Sequence, residues 1–160
     1  MNRRSSPTQI AAAFLFLGVA SAGGRAVAQQ AADINAVKAA NQAFYAALSA
    51  RDIGAMQKVW SSDVDIENIG PFSKTAHVGW DAIKKRFEET FGNVSELKDS
   101  MEQPRIKING NIAWVSGIEQ GESKDKAGTL HSDTNLATNI FEKKAGDWLM
   151  VYHHASRVPQ

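Results

Sequence analysis

The residues best suited to chemistry in this 160-residue chain lie near its end, where "VYHHAS", Val151 to Ser156, sets two adjacent histidines in an apolar run. A neutral imidazole can take a proton, accept a hydrogen bond or ligate a metal near neutral pH. Strand alternation through "WLMVYHHAS" puts Trp148, Met150, Tyr152, His154 and Ser156 on one face. Leu149, Val151, His153 and Ala155 then fall on the other, so the two imidazoles cannot share one ion. His154, on the face of Tyr152, is the better candidate for a catalytic or ligand-binding group. The competing reading is a histidine hydrogen-bonded within the sheet or at a dimer interface. His153 is expected at a partly exposed or interface position.

Other chemistry is harder to assemble. A metal site needs several ligands converging on one point. His77, and His131 with Asp133 on one strand face, are the remaining histidine candidates, and their spacing matches no chelating motif. No metal and no cofactor are expected. Gly70, Gly79 and Gly92 mark turns and helix ends without a phosphate-cradling pattern. There is no cysteine, hence no disulfide, thiolate ligand or thiol nucleophile.

The elements that position these residues read as helices first and strands afterwards. Residues 33–50 place Ile34, Val37, Asn41, Phe44, Tyr45 and Leu48 on one helical stripe, with Asp33 as N-cap. A short helix follows from Ile53. "DVDIENI" alternates as a half-buried strand, with Val64, Ile66 and Asn68 on one side. A third helix carries Trp80, Ile83, Phe87, Thr90 and Phe91 inward and stops at Gly92. From Glu96 onward, strands alternate with turn signals such as "NGN" and "KAGD", an antiparallel meander in which Pro104 marks a bulge or a strand start. Asn41 and Asn68 present amides toward the apolar side, either to a cavity or to backbone. Tyr45 and Trp60 are pocket-lining aromatics or simple core.

Residues 1–28 have the layout of a secretory signal peptide: Arg3 and Arg4, an apolar run from Ile10 to Ala22, and small-x-small sites ending at Ala22 and Ala28. Cleavage is expected after Ala28, where "AVA" leaves the longer c-region, and retention as an anchor is disfavoured because the apolar run is well short of the roughly 20 residues that span a bilayer. Residues 29–32 then form a short lead-in to a single domain over 33–160. The formal net charge of +1 includes three arginines in the leader and no acids there, so the exported part is slightly acidic. Nothing in that balance suggests nucleic acid, and no membrane association is expected after cleavage. A periplasmic or secreted location follows from the leader.

"FYAALSARDIGAMQKVWSSDVDIEN", "GWDAIKKRFEETF", "NGNIAWVSG" and "GDWLMVYHHAS" together resemble the nuclear transport factor 2-like superfamily, in particular its SnoaL-like and ketosteroid isomerase-like domains. The sequence is also similar to the association domain of calcium/calmodulin-dependent kinase II. The resemblance implies an α+β cone, three N-terminal helices packed on a curved, mainly antiparallel sheet, usually dimeric, with a pocket for a small apolar or amphipathic molecule. In the register of ketosteroid isomerase-like members, Phe44 stands at the tyrosine position with Tyr45 one step along. The strand aspartate position falls on Asn68, and the later acid near Thr138. Asn68 has no basicity, so classical steroid isomerisation is disfavoured. Related domains end in a His-x-His-x-Ser run, of which His154 and Ser156 remain and Tyr152 replaces the first histidine.

The expected pocket residues are therefore Asn41, Tyr45, Trp60, Asn68, Thr138, Tyr152 and His154. The expected function is an exported homodimeric binder. An isomerase, cyclase or dehydratase using His154, and a pure association module driven by the sheet face of Trp114 or Trp148, are the alternatives.

Overall fold

The computed structural model describes residues 22–159, so the leader lies largely outside the described residues. Helix α1 runs Ala22–Ala50. It is alanine-rich with no β-branched run, which favours helix throughout. The helix therefore does not begin at Asp33, as capping chemistry suggested. Asp33 lies within it and accepts hydrogen bonds from Lys143 and from the indole N–H of Trp148 at 3.2 Å, which ties the helix to the sheet. Val37, Asn41, Phe44, Tyr45 and Ala47 form its buried face, while Ile34 is exposed.

Helix α2, Ile53–Val59, is capped by the Asp52 carboxylate, which accepts from the Ala55 N–H at 2.9 Å. Strand β1 is only Glu67–Ile69, and β2 is His77–Val78. Here the alternation over "DVDIENI" overreached. Residues 64–65 form a turn and Val64 is 89% exposed, while Ile66 and Asn68 are buried as expected. Helix α3 spans Trp80–Asn93 and buries Ile83 and Phe87.

The meander follows: β3 Val94–Asn109, β4 Ile112–Asp125, β5 Leu130–Lys144 and β6 Asp147–Arg157. The six strands lie in the order β2-β1-β6-β5-β4-β3, with only β1 and β6 parallel. The irregularity at Pro104 is a bulge, since the β3–β4 register shifts between Glu102 and Arg105. The helices cover one face of this curved sheet, the α+β arrangement expected.

A second register shift decides where the histidines point. Ile140 pairs with Tyr152 and Phe141 with Met150, leaving Val151 as an extra residue on β6. One extra residue inverts the alternation after it. Trp148 and Met150 face the core before the bulge, and His153 and Ala155 face it afterwards. His154, Tyr152 and Thr138 consequently lie on the outer face, where Thr138 pairs with His154. The facing expected for the histidine pair is reversed.

Phe44 is the hub of the core. Its ring meets Tyr45, Trp60, Phe87 and His153 at centroid distances of 5.0, 6.4, 6.3 and 5.0 Å. Phe44→Ala removes a fully buried ring touched from both helices and sheet, and is expected to cost about 3–5 kcal/mol of unfolding free energy. Urea denaturation of the variant checks this.

Candidate functional site

A cavity of about 750 Å³ opens between α1, α3 and the concave side of the sheet. Phe44 and Leu48 line it from α1, Phe87 and Thr90 from α3, and Leu97 from β3. Its sheet wall is built in cross-strand rows. Asp99, Gly121 and Asp133 pair across β3, β4 and β5, and Glu119 pairs with Asn135 in the next row. Farther along, Asn139 pairs with His153, and His153 with Asn68 of β1. Asp99, Glu119, Asp133, Asn135, His153 and Asn68 all line the cavity. Arg86, His131 and Arg157 line it too.

Behind this wall runs a buried hydrogen-bonded chain. The Tyr45 hydroxyl donates to Glu119 Oε2 at 3.1 Å, and Asn135 Nδ2 donates to Glu119 Oε1 at 3.1 Å. Because the single tyrosine proton goes to Glu119, the phenolic oxygen accepts from Asn139 Nδ2 at 3.4 Å. That amide nitrogen also donates to Asn41 Oδ1 at 2.7 Å. Asn139 Oδ1 is then left facing His153 Nδ1 at 2.7 Å, so Nδ1 carries the proton. Nε2 holds the lone pair, and no described residue bonds to it.

Burial sets the charge states. His153 is pushed down to about 3 by desolvation, with the neighbouring His154 adding to the effect, so it is neutral at physiological pH. Tyr45 is raised far above the ordinary phenol range by burial and by the Glu119 carboxylate, and remains a donor. Glu119 is raised by burial, against the opposing hydrogen bonds from Asn135 and Tyr45. Asp99 is pushed up to about 7 by burial and then by Glu119 and Asp133. Its backbone is fastened to α1, since Ser49 Oγ accepts from Asp99 N–H at 2.9 Å and donates to its carbonyl at 3.2 Å.

Of the residues expected to form a pocket, Asn68 lines the cavity. Asn41 and Tyr45 line a smaller neighbouring cleft of about 340 Å³, which Asp99 also borders, and join the cavity wall through hydrogen bonds. Trp60 is core, 3% exposed, with its indole N–H unpartnered. Thr138, Tyr152 and His154 lie on the outer face and do not reach the cavity, Thr138 by the alternation of β5 and the other two because of the bulge at Val151. Trp148 is core, whereas Trp114 is half-buried on the outer face beneath Lys107. Sequence reasoning missed Asp99, Glu119, Asn135 and Asn139 altogether. Their alternation with apolar neighbours was a usable signal, but only the strand register brings them together. His131 contacts Asp125 at 3.4 Å instead of joining Asp133 in a chelating pair. Among the described residues no group of three or more His, Asp or Glu side chains is arranged to hold a metal ion.

The helix-covered curved sheet and the cavity on its concave side define a nuclear transport factor 2-like cone. Within that class, a family model of the SnoaL-like domain matches residues 37–160, and the chain belongs to this family. A candidate dehydratase of the nuclear transport factor 2-like family from Streptomyces avermitilis shares the fold with a TM-score of 0.73 at 21% identity, covering 81% of this chain and 99% of that one. A ketosteroid isomerase-like protein from Erwinia carotovora atroseptica matches with a TM-score of 0.67 at 21% identity, over 79% of this chain and 96% of that one. A candidate calcium/calmodulin-dependent protein kinase type II association domain from Thiobacillus denitrificans matches with a TM-score of 0.65 at 27% identity, over 76% and 94% of the two chains. No curated protein matches the sequence.

The raised carboxyl of Asp99 has a consequence for stability. Glu119 and Asp133 act on it directly, and the other ionisable groups lining the cavity or the neighbouring cleft are Tyr45 and Lys38 on α1, Arg86 on α3, His131 on β5, and His153 and Arg157 on β6. An acid held near 7 in the folded state and near 3.8 when unfolded keeps its proton longer when folded. Its share of stability is full below about pH 4 and is lost as pH rises through about 7. Asp99→Asn is expected to flatten the decline of unfolding free energy between those values and to stabilise the protein at pH 8. Chemical denaturation at a series of pH values reads this directly.

Proposed function

We propose that this SnoaL-like protein is exported as a homodimer and holds a small amphipathic molecule in the cavity between α1, α3 and the concave sheet. One observation carries the reading: apolar side chains share the wall with buried acceptors that lack partners, Asn68 Oδ1 and Asn135 Oδ1. Leaving a buried polar atom unpaired costs about 1–3 kcal/mol, and a ligand donor relieves that cost. The volume suits a drug-sized molecule. Export rests on the leader composition. The dimer rests on the outer sheet face, where Trp114, Ile118 and Ile140 are half-buried and Leu136 is 59% exposed.

A second reading has one specific support. Asp99, poised near neutrality on the cavity wall, suits proton transfer in an isomerase, cyclase or dehydratase-type reaction, while neutral His153, pushed down to about 3, can only accept a hydrogen bond there. In that case the acid–base group is not His154, which lies outside the cavity.

A thermal-shift panel of steroid-like, aromatic and fatty ligands tests the binding reading. At a free concentration of 100 Kd a true ligand stabilises the protein by about 2.7 kcal/mol. The shift is expected to vanish in Leu97→Trp, which fills the cavity. A panel that leaves wild type unshifted, or shifts it equally in Leu97→Trp, contradicts the reading. Intact mass of exported material is expected to begin at Gln29, and light scattering at micromolar concentration is expected to give a dimer. Retention of residues 1–28, or a monomer, counts against those two parts separately.

A further inference from the structure

The sheet side of the cavity wall is rich in acceptors. Asp99 and Asp133 carry carboxylates, Asn135 keeps a buried, unpartnered Oδ1 at 1% residue exposure, and Nε2 of His153 has no bonding partner among the described residues. Several donors beside them are already engaged: Asn135 Nδ2 with Glu119, the Tyr45 hydroxyl with Glu119, and His153 Nδ1–H with Asn139. Arg86, His131 and Arg157 line other parts of the same cavity.

Gly121 lets the carboxylates converge. It lies between Asp99 and Asp133 in one cross-strand row, and a Cβ there would come within 2.9 Å of Asp99 Oδ1 and 3.0 Å of Asp133 Oδ2. Any larger residue would occupy the gap between them. Among the described residues no lysine, arginine or histidine forms a salt bridge with either carboxylate. Arg157, although it lines the cavity, holds its guanidinium over the Phe72 ring at 5.0 Å. Two facing acids with no cation between them are a repulsive arrangement that folding alone does not require. A buried amide oxygen without a donor lies one row away.

We propose that this acceptor wall recognises the protonated amino group of an amphipathic amine, with Asp99 and Asp133 as counter-ions, Asn135 Oδ1 as a further acceptor, and the apolar body against Phe44, Leu48 and Phe87. The inference rests on the reading of the cavity as a binding site. An alkylammonium has three N–H donors and no acceptor, which matches a wall of lone pairs. With an ordinary pKa near that of lysine, about 10, it is charged at neutral pH. An anionic ligand meets both acids, opposed by Arg86 and Arg157 on other parts of the wall. An alcohol has one O–H donor, satisfies one acceptor and leaves both charges unpaired.

The test compares three probes of one shape, 1-naphthylmethylamine, 1-naphthylmethanol and 1-naphthylacetate, by isothermal titration at pH 8 with the full exported domain. The amine is expected to bind roughly tenfold or more tighter than the alcohol, with the carboxylate weakest. Asp99→Asn and Asp133→Asn are each expected to reduce amine affinity by a similar factor while leaving alcohol affinity within about twofold. Retained thermal unfolding shows that each variant is folded, and Asp133→Glu, which keeps the charge, is expected to restore part of the preference. If alcohol and amine bind equally, or the amine preference survives both substitutions, the amine assignment is overturned while the cavity remains a binding site. If none of the three binds, both readings fail together. Saturation of the carboxylates by calcium or manganese with no amine binding overturns the proposal in favour of a cation site.

Discussion

A buried amide with a forced orientation underlies the rest of this structure. Asn139 is completely buried in mid-sheet, where each of its polar atoms needs a partner. Glu119 sets the direction of the chain, since its two oxygens accept from Tyr45 and from Asn135. Tyr45 donates to it, Asn139 then donates to Tyr45, and Asn139 Oδ1 accepts a hydrogen bond from His153 Nδ1–H. Helix α1, strand β4, strand β5 and strand β6 are linked by this sequence of donors and acceptors. A network so placed in low dielectric is stabilising only when complete, so each residue holds the others in position.

The cavity is what this network leaves over. Asn68 and Asn135 keep unpartnered oxygens, and Asp99 sits near two further acids. Residues selected for packing alone would not be arranged so, since an apolar replacement of similar volume avoids both desolvation and repulsion. Instability concentrated around a cavity is the usual mark of a site shaped for something other than folding. Its apolar side is formed by Phe87 and Leu97 beside Phe44.

Much of the architecture was legible in the sequence because it depends on local periodicity. The stripe of Val37, Phe44, Tyr45 and Leu48, the inner face of Ile83 and Phe87, and the turn-punctuated meander are all short-range patterns. Asn68 was found by the same means. The histidines were misassigned by one residue of register. A bulge at Val151 carries no glycine or proline to announce it, and its cause lies in the pairing of Met150 with Phe141 and its bridge to Trp60. Asp99 and Glu119 were missed, and Asp133 was read only beside His131, for another reason. In the sequence each is an ordinary polar residue of a long strand, and only the β3–β4–β5 register gathers them around Gly121. The SnoaL-like resemblance pointed to the cone, but its site positions led to Thr138 and His154, both on the outer face.

The orientation of the buried chain is the claim on which the cavity's chemistry depends, and nitrogen-15 NMR of the His153 ring measures it most directly. The account predicts a neutral imidazole with its proton on Nδ1 that does not titrate between about pH 5 and 8, in keeping with a pKa pushed down to about 3. A neutral ring protonated on Nε2 would mean that Asn139 is turned the other way and that His153 presents a donor to the cavity, and one that titrates near 6.5 would contradict the burial of the ring.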